Sequence, residues 1–297
     1  MREPRGHYDM FGGFLLDPTE GGDAAALFMN PSGYTDQCGH GMIAIVTLLI
    51  QLGKLPQERY RLKPDLMQVR LETTVGILET EACWNGEKVE FVKFKNTPVW
   101  ILYKDLTIKS SFGQITGDIV FNGAFNFFAE FDSGQLQVKP ENSARIMELG
   151  GEIKQTIQSM GLEISNKDFP QITGLHGVDF INLRKKDASD DSKPNQKSVL
   201  VFGCKQIDRS PCGSGTAGRV GSLFLKGKIS SEHYFVNESI IGSKFKARIV
   251  NTTVKANRDS KPACIVEIQG QAHLLGRTEW WLDPDDVIGY NGFIIHR

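Results

Sequence analysis

Hydrophobic and polar residues are arranged in three different patterns along the chain. Residues 42–52 are apolar with little interruption, which is typical of a helix that is buried on every side. Residues 142–160 place apolar side chains at steps of three and four, as an amphipathic helix does. Residues 89–95 come close to the alternation of a half-buried strand. These patterns predict an α/β protein with one helix at the centre of a domain and another that covers a sheet.

Strand-forming segments account for much of the remaining chain. In the first part they are residues 10–16, 25–29, 69–75, 76–83 and 99–102, and in the second part residues 115–131, 198–203, 234–249 and 264–275. The pattern restarts around residues 110–113. We therefore predict a first α/β domain of residues 1–110 with 276–297, and a second of residues 111–275.

A short motif occurs twice, once in each predicted domain. Cys38-Gly39-His40-Gly41 opens the first apolar run, and Cys212-Gly213-Ser214-Gly215 precedes a second one. Each run ends fifteen residues after its cysteine on a glycine, a lysine and an aliphatic residue, and a phenylalanine, Phe28 or Phe202, stands ten positions before each cysteine. The chain therefore indicates one unit used twice, with a thiol at the start of each helix.

A thiol at a helix start is suited to acid–base chemistry. The first-turn N–H groups lack partners within the helix and carry partial positive charge, so the pKa of such a cysteine is expected to fall from about 8.5 towards neutrality. The same N–H groups can hold a carboxylate. Two such sites predict proton exchange at a carbon beside a carboxylate, in which one thiolate removes the Cα hydrogen and the opposite thiol protonates the other face.

Other interpretations of these residues remain open. A free cysteine is most often a small buried hydrophobe, and that role is assigned to the three cysteines outside the motifs, Cys83, Cys204 and Cys264. Cys38 and His40 could be two ligands of a metal site, although no paired C-x-x-C accompanies them. The two motif thiols could also form a disulfide in an empty site. The repeated context favours the catalytic interpretation.

Two further residues have alternative roles. Phe28 could line a pocket, but a phenylalanine in a strand belongs more often to the core. Asp208 could pair with the ammonium group of a substrate, or instead with Arg209, or cap a helix.

The charge composition of the chain bears on which kinds of partner it can bind. The 297 residues include 34 basic and 35 acidic side chains, a net charge of -1, which gives no electrostatic reason to expect nucleic acid or an anionic membrane as a partner. The polar N-terminus contains no signal peptide, and residues 42–52 are too few to span a bilayer. We expect a soluble cytoplasmic protein with reduced thiols that acts on a small molecule.

Four segments resemble the proline racemase family, which also contains hydroxyproline 2-epimerases and trans-3-hydroxyproline dehydratases. They are Glu3-Pro4-Arg5-Gly6-His7, the first cysteine motif, residues 208–216 around the second, and Asp283-Pro284-Asp285-Asp286 with Gly292-Phe293. The resemblance covers nearly the whole chain. It implies the diaminopimelate epimerase-like fold, with two pseudo-symmetric α/β domains, each wrapping sheet around a central helix, and the site between them. It also implies catalysis without a cofactor, and a homodimer.

The resemblance further implies roles for individual residues. Cys38 and Cys212 match the two catalytic thiols. The other matches are Gly39, His40, Gly213 and Ser214 around the substrate carboxylate, His40 and Asp208 near the ring nitrogen, and Phe11, Phe28 and Phe202 as apolar walls. Three aromatic walls favour proline over hydroxyproline, because a ring hydroxyl buried there would lack a partner. The presence of Cys212 weighs against the dehydratase branch, which typically has threonine at this position.

Family members carry a longer N-terminal segment that includes a histidine–threonine–glycine strand. This chain begins inside the first domain, so we expect strands of that domain to be missing. Three hypotheses follow. The first is a proline racemase that inverts Cα with two thiols. The second is a 4-hydroxyproline 2-epimerase or trans-3-hydroxyproline dehydratase, and the third is an inactive, truncated relative that binds a small acid or another protein.

Overall fold

The computed structural model describes residues 2–31, 33–35, 38–55, 61–63, 65–132, 134–184, 195–232, 234–256 and 260–295. The chain divides into two compact units: residues 1–93 with 271–297 form the first unit, and residues 94–270 form the second. The boundary predicted after residue 110 differs from this division. Residue 110 lies at the turn of a hairpin whose two strands, Trp100–Ser110 and Gly113–Phe121, pair within the second unit.

The strands of the described residues are β1 (Gly12–Leu16), β2 (Ala24–Asn30), β3 (Gly33–Thr35), β4 (Arg61–Lys63), β5 (Leu66–Thr73), β6 (Gly76–Trp84), β7 (Val89–Lys95), β8 (Trp100–Ser110), β9 (Gly113–Phe121), β10 (Phe125–Glu130), β11 (Gly177–Leu183), β12 (Gln196–Phe202), β13 (Gln206–Ile207), β14 (Phe235–Ser239), β15 (Lys244–Ala256) and β16 (Lys261–Gly270). The α-helices are α1 (Gly39–Gln51), α2 (Ser143–Ser159), α3 (Gly213–Leu225) and α4 (Val287–Asn291). A 3-10 turn, Pro140–Asn142, precedes α2. None of the helices in these ranges has the length and hydropathy that a bilayer-spanning helix requires.

In the first unit, α1 packs on a sheet with the strand order β1-β2-β5-β6-β7. β3 pairs with β2, and β4 pairs with β5. The apolar side chains of α1, such as Met42 and Val46, are fully buried, and among its described residues only Ala44 is exposed. The predicted buried helix is confirmed, because an apolar surface of this kind is removed from water on nearly all sides.

In the second unit, two helices cover opposite faces of a sheet with the order β16-β15-β14-β12-β11-β10-β9-β8. The amphipathic helix α2 buries Ile146 and Ile153 on one face, where its Gly150 packs against Val201. α3 lies on the other face, where a Cβ on Gly218 would meet the Phe128 ring at 2.6 Å. Because only glycine allows this approach, α3 comes close to the strands that carry the polar residues described below.

The sequence repeat corresponds to two helices built in the same way. Each has 13 residues and begins immediately after its cysteine. Each is followed by a glycine in the left-handed region, Gly53 (φ 61°) and Gly227 (φ 68°). The next N–H groups then donate to carbonyls inside the helix, at 2.9 Å for Lys54 and 2.8 Å for Lys228. These glycines end the helices because they adopt a positive φ at little steric cost.

Candidate active site

The first thiol cluster consists of Cys38, His40, Phe11 and Phe28, all in the first unit. Cys38 occupies the N-cap position of α1 with an extended backbone, φ -142° and ψ 98°. Its Sγ lies 3.5 Å from Nε2 of His40, and the Phe11 and His40 rings meet edge to face with centroids 4.8 Å apart. In the described part of the chain, no group of three or more His, Cys, Asp or Glu side chains is placed to hold a metal ion.

Phe28 and the Cys38 thiol crowd the first turn of α1. A Cβ added to Gly41 would lie 2.8 Å from Cε1 of Phe28 and 2.9 Å from Sγ of Cys38. The second glycine of the motif is therefore required by packing. Phe28 is only 2% exposed, so it belongs to the core and contacts the cysteine turn at the same time. Each of these residues was predicted as part of a site, and the structure brings the four together in the first unit.

The second thiol cluster consists of Cys212, Ser214, Asp208 and Asp179, all in the second unit. Cys212 is the N-cap of α3, with φ 58° and ψ 114°. A residue other than glycine rarely adopts such angles, which cost on the order of 1–3 kcal/mol and concentrate at functional sites. Its N–H donates to Oγ of Ser210 at 3.0 Å, and the Ser210 N–H donates to Oδ1 of Asp208 at 2.8 Å. Asp208 therefore supports the loop that presents the thiol.

A second set of hydrogen bonds holds the same turn from the side of α3. The carbonyl of Pro211 accepts from Oγ1 of Thr216 at 2.9 Å and from Nδ2 of Asn237 at 3.0 Å. The Cys212 Sγ accepts from the Gly215 N–H at 3.2 Å and lies 3.5 Å from Oγ of Ser214. These contacts maintain the strained backbone and direct the sulfur towards the helix start, where a thiolate would be stabilised.

Burial raises the pKa of the Cys212 thiol well above its ordinary value. The Asp208 carboxylate raises this pKa further, as does Asp179 in its ionised form, and the hydrogen bonds from Ser214 and Gly215 lower it by less. The lowered pKa expected at a helix start is therefore wrong for Cys212. Loss of hydration and the Asp208 carboxylate outweigh the helix-start donors, so this sulfur is a protonated thiol at neutral pH.

Two residues near the second cysteine were missed by the sequence analysis. Asp179 lies on β11, which was not predicted as a strand, and is 2% exposed. His176 precedes β11, and its ring stacks on Phe202 with centroids 6.0 Å apart and an interplanar angle of 7°. Burial lowers the pKa of His176 to about 4; the Lys154 ammonium group also lowers it, whereas Asp208 opposes this shift. Asp179 stands within the otherwise apolar run from Val178 to Ile181. An acidic residue in such a run was the sequence feature that could have indicated a buried functional group.

Comparisons with known proteins identify the family of this chain. The family model described as "Proline racemase" matches residues 1–293. The chain belongs to the proline racemase family. It is 35% identical over 297 residues to a 3-hydroxyproline 2-epimerase of Burkholderia multivorans and 34% identical to a trans-3-hydroxy-L-proline dehydratase of Azospirillum brasilense. It is 32% identical to a proline racemase of Acetoanaerobium sticklandii. Each alignment covers 99% of this chain and 84% of the relative.

Solved structures of the proline racemase family have the same fold. A probable proline racemase from Agrobacterium radiobacter, with bound carbonate, superposes with a TM-score of 0.83 at 27% identity, covering 99% of this chain and 82% of the other. A hydroxyproline epimerase from Agrobacterium vitis, with bound trans-4-OH-L-proline, gives 0.83 at 26% identity, covering 99% and 81%. A PhzF family protein from Bacillus anthracis, at 14% identity and a TM-score of 0.56, covering 88% and 81%, shares the fold alone. The predicted diaminopimelate epimerase-like class is confirmed.

Proposed function

We propose that this protein inverts the Cα centre of proline by proton transfer between the thiols of Cys38 and Cys212. The protein is an amino-acid isomerase of the proline racemase family. The observation that carries the proposal is the matched construction of the two clusters, in which a buried cysteine caps a 13-residue helix of the same design. Two thiols in matching positions suit an inversion, because a proton is removed from one face of Cα and another is added to the opposite face.

In the proposed reaction, one sulfur removes the Cα hydrogen as a proton. The bonding electron pair passes towards the substrate carboxylate, and the other sulfur donates its proton to the opposite face. Cys212 is protonated at neutral pH in the absence of substrate, so it is assigned the donor role in the first turnover. His40 is placed to accept the thiol proton of Cys38, since Nε2 lies 3.5 Å from that sulfur. The two sulfurs exchange protonation states in each turnover.

The helix starts supply the groups that bind the carboxylate. First-turn N–H groups are suited to an anion, and here they belong to motif residues Gly39, His40, Gly213 and Ser214. Such donors stabilise the charge that develops on the carboxylate when Cα is deprotonated. Phe11, Phe28 and Phe202 provide apolar surface for the pyrrolidine ring.

Asp208 has a specific part in this proposal. Its carboxylate raises the pKa of the Cys212 thiol when the site is empty. The positive ring nitrogen of proline, bound beside Asp208, offsets that carboxylate and so favours the Cys212 thiolate. Substrate binding thereby makes Cys212 a better proton donor, because an opposite charge within a few ångströms favours the charged form of its neighbour.

A second candidate substrate is a hydroxyproline. The three aromatic walls favour an unsubstituted ring, but the His176 imidazole stacks on one of them, Phe202. A neutral imidazole both donates and accepts hydrogen bonds, so it is a suitable partner for a ring hydroxyl. The 35% identical relative named as a 3-hydroxyproline 2-epimerase supports this alternative.

Chiral chromatography of three parallel reactions tests the proposal. The purified protein is incubated under reducing conditions with L-proline, trans-4-hydroxy-L-proline or trans-3-hydroxy-L-proline. Formation of D-proline as the fastest reaction supports the racemase, and faster inversion of a hydroxyproline supports the second candidate. Loss of water from the 3-hydroxy substrate would indicate a dehydratase. If pyrrole-2-carboxylate raised the Tm but no substrate was converted, both candidate activities would be overturned. That result would support a protein that only binds a small acid.

A further inference from the structure

Asp179 lies against the same residue of α3 as the Cys212 thiol. A Cβ on Gly215 would lie 2.9 Å from Oδ1 of Asp179 and 3.1 Å from Sγ of Cys212. The carboxyl group and the sulfur therefore flank Gly215, whose N–H donates to the sulfur. A side chain on β11 thus contacts the turn that holds the second cysteine.

The Asp179 carboxyl group is buried without a full set of partners. Its Oδ2 atom is inaccessible to solvent and has no hydrogen-bond partner among the described residues. Arg219, the cation that influences Asp179, is committed elsewhere: Nε donates to Oε1 of Gln196 at 3.0 Å and Nη2 to Oε1 of Glu130 at 2.7 Å. Burying an uncompensated carboxylate is costly. The neutral acid is therefore the favoured form at neutral pH, and burial and Asp208 raise the pKa of Asp179 to about 8.

The protonation state of Asp179 changes the charge beside the second thiol. The charged and titratable groups that face Asp179 are Asp208 from the loop before α3, Cys212 at the start of that helix, and Arg219 further along it. Asp208 already disfavours a thiolate at Cys212. A second negative charge at Asp179 would act in the same direction, because like charges disfavour each other's ionised forms.

We propose that Asp179 is a positioning residue for Cys212: as an uncharged acid it packs behind the first turn of α3, and its ionisation keeps the proton on Cys212. The importance of this effect for turnover rests on the proposed function, whereas the coupling between the two groups does not. The coupling predicts that activity declines as Asp179 ionises on the alkaline side of neutrality. A purely structural residue would not produce such a pH dependence.

The test measures the reactivity of Cys212 without requiring turnover. Wild type and Asp179→Asn are treated with iodoacetamide across a pH series, and modification of the Cys212 peptide is quantified by mass spectrometry. Asparagine keeps the shape of the neutral acid and cannot ionise. We expect the curve of Cys212 alkylation rate against pH to move to lower pH in the variant. Above neutrality, the rate should rise on the order of tenfold for each unit by which the pKa of Cys212 falls.

Asp118→Asn is the matched control. Asp118 is also a buried carboxylate, 5% exposed, but it binds Lys226 at the other end of α3, with Oδ2 2.8 Å from Nζ. This control should leave the Cys212 profile unchanged. An Asp179→Asn profile that coincides with that of wild type, or an equal shift in the control, would overturn the proposal.

A second measurement on wild type covers the case in which Asp179→Asn does not fold. The infrared carbonyl stretch of a protonated carboxylic acid should be present at neutral pH and disappear at higher pH; its absence at neutral pH would overturn the proposal. These results are separable from the proposed function. If Cys212→Ser retained full inversion activity, the two-thiol reaction would fail even where the alkylation shift was observed.

Discussion

Replacing Gly41 with alanine would place a methyl group between the first catalytic candidate and its aromatic neighbour. The new Cβ would lie 2.8 Å and 3.0 Å from Cε1 and Cδ1 of Phe28, and 2.9 Å from Sγ of Cys38. Atoms in normal contact are about 3.5–4.0 Å apart. The thiol and the ring must therefore move by roughly 1 Å in total.

The expected magnitudes differ for stability and activity. Alanine favours a helix by about 1 kcal/mol relative to glycine, and overpacking costs about 1–3 kcal/mol. The net loss of stability is then about 0–2 kcal/mol, or a few degrees in Tm for a protein of this size. A displacement of about 1 Å at a reacting group can lower the rate about 100-fold. Activity should therefore fall far more than stability.

The assay compares kcat/KM for inversion at Cα, by chiral chromatography, with Tm from thermal unfolding. Gly151→Ala is the matched control, because it is also a glycine-to-alanine change within a helix. Its Cβ would meet Cε and Cγ of Lys205 at 2.9 and 3.0 Å, and this side chain is long and 39% exposed, so it can move aside. The control should retain activity. A Gly41→Ala variant with wild-type kcat/KM would refute the assignment of this turn to the active site.

Three further predictions concern carboxyl groups and a histidine. Asp208→Asn removes a carboxylate that raises the pKa of Cys212, so alkylation of Cys212 should extend to lower pH while KM rises; an unchanged KM would contradict the substrate contact. The pKa of His176 is lowered from 6.5 to about 4, so the unfolded state binds more protons in this interval and stability should fall as pH falls through it. In urea unfolding, the free energy of unfolding of His176→Phe should fall less than that of wild type as the pH falls through this interval. An equal fall in both proteins would contradict the lowered pKa. The pKa of Asp179 is raised from 3.8 to about 8, so the folded state binds more protons in this interval and loses stability as pH rises through it. Asp179→Asn should therefore raise the free energy of unfolding more at the alkaline end of this interval than at the acidic end, and an equal gain at both ends would contradict the raised pKa.

The features that could be predicted from the sequence are encoded locally. The apolar run of α1 and the three-to-four spacing in α2 determine helices whose burial follows directly from their pattern. The cysteine motifs could be placed at helix starts because two glycines follow each cysteine, an apolar run comes next, and another glycine ends each helix. His40 lies in the first cysteine motif, Phe28 stands ten positions before Cys38, and Phe11 matches a family position, so each could be named as a candidate from the sequence.

The features that could not be predicted depend on distant parts of the chain. The strand β11 is buried along almost its whole length. Its sequence does not alternate between apolar and polar residues, and Asp179 interrupts its apolar run, so neither strand pattern is present. The contact of Asp179 with the cysteine turn requires the sheet register and the position of α3. The raised pKa of Cys212 follows first from burial, then from Asp208, and last from Asp179, which the sequence did not indicate. The positive φ of Cys212 is likewise maintained by Thr216 and Asn237 through the carbonyl of Pro211.

The most direct test of the two-thiol reaction is deuterium incorporation at Cα during inversion in heavy water. Wild type, Cys38→Ser and Cys212→Ser are incubated with the preferred substrate. The enantiomers are then separated, and the deuterium content of each is measured by mass spectrometry. The account predicts that wild type produces the opposite enantiomer with deuterium at Cα. Each serine variant should remain folded and lose inversion by orders of magnitude. Inversion at the wild-type rate by either variant would contradict it.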